Sequence, residues 1–381
     1  MKPLLSKLPV SHTTIFTVMS ELANQYQALN LSQGFPDFPV DPELITLVSK
    51  AMKSGKNQYS PMAGLMQLRE RIAEKVANSY GYTYHPETEI TITSGATQAL
   101  FTCIAAFIHP KDEVIIFEPA YDCYEPSIRL FGGVTIPIQL SYPNYTIDWD
   151  QVAEAITPKT RMIIINTPHN PSGTTMSSED MAHLEKLVAT NNIIVLSDEV
   201  YEHIIFDSTV HQSVARYPSL ASRSFIIGSF GKTFHVTGWK TGYCLAPSAL
   251  MKEFRKVHQY NVFSGNHPIQ AAIAQYLETP SHYLSLPDFY QHKRDLFLSL
   301  LKGSSFTHVP ATGTYFQLLE YSAITNENDL EFAKRLTKEY KIASIPISVF
   351  NSSKQDDKVL RFCFAKSDET LKRAAEVLHT V

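Results

Sequence analysis

Ser224-Phe225-Ile226-Ile227-Gly228-Ser229-Phe230-Gly231-Lys232-Thr233-Phe234-His235-Val236-Thr237-Gly238-Trp239-Lys240-Thr241-Gly242-Tyr243 is the stretch from which the fold is read. Its apolar run, residues 225–228, reads as a buried strand that empties into a turn of small residues. Lys232 stands on that turn, Lys240 follows, and residues 242–246 read as a second strand. A lysine at the carboxyl end of a buried strand can be desolvated, which lowers its pKa and frees the amine to attack a carbonyl as a Schiff-base nucleophile. A solvated lysine on a glycine-flanked turn is the plain alternative. The surrounding chain has to decide between them.

Outward from this stretch the pattern alternates. Residues 89–93, 113–117, 134–138, 161–166, 193–197, 225–228 and 242–246 read as strands, and 96–108, 150–156, 179–190 and 248–261 as helices between them. Alternation of this kind predicts an α/β fold with a mostly parallel seven-stranded sheet between helices. Ligands on such sheets bind outside the carboxyl ends of the strands. Before the sheet, residues 15–29 have helical spacing, Asp41-Pro42-Glu43 reads as an N-cap with proline at the first turn, and 64–80 as a further helix. After Pro280 a long helix (282–301), short strands (314–319 and 359–364) and helices (327–340 and 368–378) predict a small α+β domain. The expected division is an N-terminal arm and part of the small domain (1–43), a large cofactor-binding domain (44–279) and a small C-terminal domain (280–381).

Composition narrows the function classes. Of 381 residues, 44% are hydrophobic and 18% charged, a globular rather than disordered balance. The net charge of −4 offers no polyanion footprint, so no nucleic acid is expected. No apolar stretch is long enough to cross a bilayer and the N-terminus lacks a signal peptide's apolar core, so a cytoplasmic protein without membrane contact is expected. Cys103, Cys123, Cys244 and Cys363 are far apart and read as free thiols. No histidine spacing suits a metal, and the Asn-x-Ser/Thr triplets at Asn30, Asn144 and Asn351 read as chance.

Several segments could carry chemistry. Ser94-Gly95-Ala96-Thr97-Gln98 follows a strand and opens a helix, which makes it either an anion site or an ordinary turn. Tyr121, past the next strand, is either core or a ring that stacks on a flat heteroaromatic. Asn170-Pro171 follows another strand and can hold an unusual turn. Asp198 ends a strand of apolar character, where a carboxylate is costly unless it meets a cation or caps a helix. Tyr201 is read three residues on, on the same helical face. Arg361 sits inside the apolar run Val359-Leu360-Arg361-Phe362-Cys363-Phe364, either in a core salt bridge or as a ligand for an anion.

The opening stretch resembles the cofactor-lysine segment of class I aminotransferases, which use pyridoxal 5′-phosphate. With Asn30-Leu31-Ser32-Gln33-Gly34-Phe35-Pro36-Asp37-Phe38 it is most similar to the branch holding kynurenine aminotransferase, glutamine transaminase K and bacterial methionine aminotransferase. The likeness runs from Thr14-Ile15-Phe16 to Phe362-Cys363-Phe364-Ala365-Lys366 without a large insertion. It implies pyridoxal-phosphate fold type I (aspartate aminotransferase-like), ping-pong transamination between an amino acid and a 2-oxo acid, and a homodimer with shared sites. It makes Lys232 the cofactor lysine and Asp198 the partner of the pyridine nitrogen. Asn170 and Tyr201 serve the phenolic oxygen, and Tyr121 stacks on the ring. Gly95, Ala96, Thr97, Ser229, Lys240 and the neighbouring subunit's Tyr59 hold the phosphate. Most class I enzymes carry arginine where this chain has Lys240, so the charge is kept and the bidentate fork lost. Arg361 clamps the substrate carboxylate, with Gly34 closing opposite and Phe16 and the neighbour's Phe263 beside the side chain. The expected donor is methionine or another large uncharged amino acid. The alternative is a kynurenine- or glutamine-type aminotransferase with cysteine-conjugate β-lyase side activity, and a β-lyase on the same fold is one rival. A ligand sensor lacks an added DNA-binding module here, and a nicotinamide oxidoreductase lacks its Gly-x-Gly-x-x-Gly.

Overall fold

The structure is a computed structural model that describes residues 5–9 and 13–381. Its strands, in chain order, are β1 (Leu29–Asn30), β2 (Ile90–Thr93), β3 (Glu113–Glu118), β4 (Val134–Gln139), β5 (Thr160–Asn166), β6 (Ile194–Asp198), β7 (Ser224–Ser229), β8 (Gly242–Leu245), β9 (Phe316–Glu320), β10 (Ile342–Ala343), β11 (Ile345–Pro346) and β12 (Val359–Cys363). Seven of them form one sheet in the order β2-β8-β7-β6-β5-β3-β4. Only β8 runs antiparallel to its neighbours.

The central strands are apolar on both faces because helices cover both. Period-two alternation divides their side chains between two cores. Met162 and Ile164 of β5, Leu196 of β6 and Phe225 and Ile227 of β7 join the core formed with the helices Ala96–Phe107 and Ser248–Asn261. Ile163, Ile165, Val195 and Ile226 point the other way, into the larger core. Parallel β2, β3, β5, β6 and β7 therefore end on one edge of the sheet. Antiparallel β8 starts there, with Gly242 opposite Ser229, which brings Lys240 to the same edge as Lys232.

The C-terminal part builds a three-stranded antiparallel sheet, β11-β12-β9. The N-terminal segment returns to it: β1 pairs with β10, and the carbonyl of Leu31 accepts from the amide of Cys363 at 2.8 Å. Two expected elements change. The helix read at 282–301 is split into Ser281–Leu284 and Leu286–Leu300, because Pro287 has no N–H to carry the first through. The helix read at 327–340 is regular over Asp329–Arg335 and widens to a π turn over Leu336–Tyr340. Helices Tyr124–Leu130 and His267–Tyr276 were not read from the sequence. Asp41 does cap its helix, accepting from the amide of Glu43 at 2.8 Å. Cys103, Cys123, Cys244 and Cys363 are free, and no helix among the described residues is long and apolar enough to cross a membrane.

Candidate active site

The strand ends frame a cavity of about 300 Å³. Of the candidate residues, Phe16, Gly34, Gly95, Ala96, Thr97, Tyr121, Asn170, Asp198, Tyr201, Ser229, Lys232, Lys240 and Arg361 all line it. Tyr59 and Phe263 do not. They pack edge-on at 5.2 Å between ring centroids, and they are 80% and 55% exposed on the outside of their own chain.

One end of the cavity is built for an anion. Gly95, at φ +78°, precedes the helix Ala96–Phe107, and no side chain caps that helix. Its first amides are thus open to a ligand. Lys240 lies against this turn: its Nζ would stand 3.6 Å from a Cβ built on Gly95. At the floor is Asp198. Its carboxylate accepts from the Tyr124 hydroxyl at 2.7 Å and from the Val200 amide at 3.4 Å, and it forms no ion pair among the described residues. Burial pushes its pKa up to about 6, against the pull of the Tyr124 hydrogen bond. Tyr201 is not on a helix as the sequence reading had it; the backbone turns after β6, and the turn carries the ring to the cavity.

Lys232 lies opposite. Burial lowers its pKa to about 8, with Cys363 pulling upward and Arg361 pushing down. Its Nζ donates to the Tyr315 hydroxyl at 2.9 Å and to the Gly34 carbonyl at 3.1 Å. At the far end Arg361, 1% exposed, carries its guanidinium between two rings, 3.8 Å from the Phe316 centroid and 5.3 Å from that of Phe16. It donates to Asn170 Oδ1 at 2.6 Å and to the Ser32 carbonyl at 3.1 Å, while its buried Nε has no partner. Asn170 spends its oxygen on Arg361, so the group left for the cavity is its NH₂. Gly34 has to be small: a Cβ there would lie 2.7 Å from Phe316 Cζ.

Tyr124, Tyr315, Phe316 and Gln33 were missed. The three aromatics break no pattern in their segments, and Gln33, which donates to the Phe16 carbonyl at 2.9 Å, had only its place beside Gly34 to mark it.

A family model, aminotransferase class I and II, matches residues 26–378. The chain belongs to that family. The aminotransferase is 48% identical over 374 residues to the methionine aminotransferase of Escherichia coli strain K12, covering 98% of this chain and 97% of that protein. It is 33% identical over 406 residues to the kynurenine–oxoglutarate transaminase of Dictyostelium discoideum, covering 96% and 93%. A crystal structure of an Escherichia coli protein, described as identifying a methionine aminotransferase function, matches with a TM-score of 0.97 at 48% identity and covers 100% of both chains.

The aminotransferase thus has the type I fold of the aspartate aminotransferases and uses pyridoxal 5′-phosphate to exchange amino groups between amino acids and 2-oxo acids. The donor set of the cavity fits that cofactor. Asp198 is a buried carboxylate without a cation among the described residues, which a protonated ring nitrogen would supply. The uncapped helix and Lys240 suit a phosphate, and Lys232 is an amine made nucleophilic by burial.

Proposed function

We propose that this aminotransferase moves the amino group of methionine, and of other large uncharged amino acids, to a 2-oxo acid by a ping-pong mechanism. One observation carries the choice of side chain. Among the described residues, the only cations lining the cavity are Lys232, Lys240 and Arg361, and each already has an assignment. A donor with a second carboxylate would bury that charge unpaired, at a cost of several kcal/mol. The walls left to the side chain, Phe16 and Phe316, are aromatic. A thioether gains about 0.8 kcal/mol per buried methylene there and makes sulfur–ring contacts. The 48% identity to a methionine aminotransferase points the same way.

In this reading Arg361 binds the α-carboxylate through its guanidinium fork, and Gly34 closes over it. Bound pyridoxal phosphate supplies a carbonyl carbon that links to amines and a ring that takes up the electrons of the broken Cα–H bond. Lys232 is the covalent lysine. Once released, its amine takes the proton from the substrate Cα and returns it as general acid. Asp198, whose ionised form the Tyr124 hydrogen bond favours, would hold the proton on the ring nitrogen. The Asn170 NH₂ and the Tyr201 hydroxyl would donate to the phenolic oxygen, and Tyr121 would cover the ring. Gly95, Ala96, Thr97, Ser229 and Lys240 hold the phosphate.

In this reading Tyr59 and Phe263 would complete the site of a neighbouring subunit in a homodimer, and their exposure as an aromatic pair on their own chain supports it. We assign residues 44–279 to the large domain, and 280–381 with 1–43 to the small one. Free cysteines accord with a cytoplasmic location. The test is kcat/KM for methionine, phenylalanine, kynurenine and aspartate with one shared 2-oxo acid. Methionine is expected to lead and aspartate to trail by more than tenfold. Aspartate equalling methionine would refute the cavity argument, and phenylalanine leading would refute the ranking.

A further inference from the structure

We propose that Tyr315, acting with the Gly34 carbonyl, is a positioning residue that holds the free Lys232 amine with its lone pair turned to the substrate Cα. The proposal rests on the reading of Lys232 as the proton-transfer base. It starts from a hydrogen count. The Tyr315 hydroxyl has one hydrogen and gives it to the Gly34 carbonyl at 2.6 Å. Toward Lys232, 2.9 Å away, it can only accept. Lys232 also donates to the Gly34 carbonyl at 3.1 Å. Those two oxygens are 2.6 Å apart, so both lie on one side of the nitrogen and engage its N–H groups there. An amine held by its hydrogens on that side turns its lone pair away from the two oxygens, toward the cavity that Lys232 lines. An amine free to rotate would present that lone pair for only part of the time, whereas proton transfer gains from fixed geometry.

The ring of Tyr315 packs against Tyr201, Tyr290 and Phe316, with centroids 5.1, 5.8 and 5.0 Å away. A phenylalanine would fill that place equally well. The hydroxyl bonds the base, the Gly34 carbonyl and Tyr201, so Tyr315→Phe removes those bonds and keeps the packing. Asp198, Lys240, Arg361, Cys363 and Tyr201 also face Lys232. All of them stay in the variant. An accepting hydroxyl favours the ammonium over the amine, so its loss moves the Lys232 titration downward.

Two readouts test this. In the cofactor-free full chain, competitive acetylation with acetic anhydride, followed by mass spectrometry of the Lys232 peptide across pH, reads the titration midpoint. In the loaded enzyme, single turnover with Cα-deuterated methionine reads the proton-transfer step. Tyr315→Phe is expected to melt with the wild type and to lower the midpoint by about half a pH unit or more. It should slow the half-reaction at least tenfold with a larger primary isotope effect, and leave donor binding unchanged. An unchanged midpoint overturns the contact, and an unchanged isotope effect overturns its part in proton transfer. Borohydride trapping of the cofactor on another lysine would instead overturn the parent reading, which the acetylation midpoint does not depend on.

Discussion

Replacing Asp198 by asparagine separates what that residue does for the fold from what it does for the chemistry. In the cofactor-free protein, burial raises its pKa from 3.8 to about 6. At about 1.4 kcal/mol per unit, that is a cost of about 3 kcal/mol for holding the carboxylate ionised in the folded chain. The sign follows from proton binding. The folded state holds this proton more tightly than the unfolded chain, so the contribution to stability is complete below pH 3.8. It is lost as pH rises through 6. Above pH 7 the whole cost is present; at pH 5 about half of it is.

Asp198→Asn is neutral throughout, and its carbonyl oxygen can still accept from Tyr124. Its NH₂ then faces the Val200 amide, donor against donor, at a cost of about 1–3 kcal/mol that does not depend on pH. The informative quantity is therefore the change with pH. Urea unfolding of both cofactor-free proteins at pH 5 and pH 8 is expected to show the variant gaining about 1.5 kcal/mol on the wild type between the two. Loading with pyridoxal phosphate is expected to stabilise the wild type more than the variant at pH 8. Transamination by the variant should fall well over tenfold, more than about 1.4 kcal/mol in barrier. A stability gap that stays the same at both pH values would refute the reasoning, because the buried charge would then not be the strained element.

Lys232→Ala is expected to lose the visible absorbance of the bound cofactor and nearly all transamination; mass spectrometry of borohydride-reduced wild type should find the cofactor on the Lys232 peptide and nowhere else. For the shared site, Tyr59→Phe and Lys232→Ala chains are co-refolded. A hybrid dimer would contain one site with both native residues, so activity should exceed the mean of the two parents. No gain on mixing, or an active monomer in sedimentation, would overturn it.

The sequence carried the charged centres because each is an anomaly in its setting. Arg361 inside the β12 run, Asp198 at the end of β6 and Lys232 on a small-residue turn all break an apolar pattern, and each break needs a partner. The sheet was legible for a related reason. Strands buried on both faces give unbroken apolar runs, and turns of glycine and small residues separate them. Tyr124 and Tyr315 break nothing. In an apolar run an aromatic ring reads as core, and only its hydroxyl says otherwise, by bonding a residue 74 or 83 positions away. The splitting of the helix after Leu284 was visible in Pro287 alone, which helical periodicity overrode. Tyr59 and Phe263 carried no signal of their own, since one chain leaves them exposed.

In the proposed reading, the segment around Gly34 links the carboxylate clamp, Arg361, to the base, Lys232. Its backbone is fastened to the C-terminal part at several places. The Leu31 carbonyl accepts from Cys363 at 2.8 Å, that of Ser32 from Arg361 at 3.1 Å and that of Phe35 from Lys366 at 2.9 Å. Asp37 accepts from the Ser367 amide at 2.5 Å and from the Thr370 hydroxyl at 2.7 Å. Arg361 lies on β12 of that same part, and Tyr315 immediately precedes β9, the neighbour of β12. Lys232, by contrast, follows β7 of the large sheet. Arg361 and both acceptors of the Lys232 amine thus hang on one network of backbone bonds, while the amine itself follows a strand of the seven-stranded sheet. In the proposed reading, a substrate that fails to engage Arg361 would leave the Arg361–Ser32 contact, and with it the Gly34 segment that holds Lys232, less well ordered. Discrimination at the carboxylate would then appear in the proton-transfer step as well as in binding, because interactions realised only when the site is assembled act on kcat.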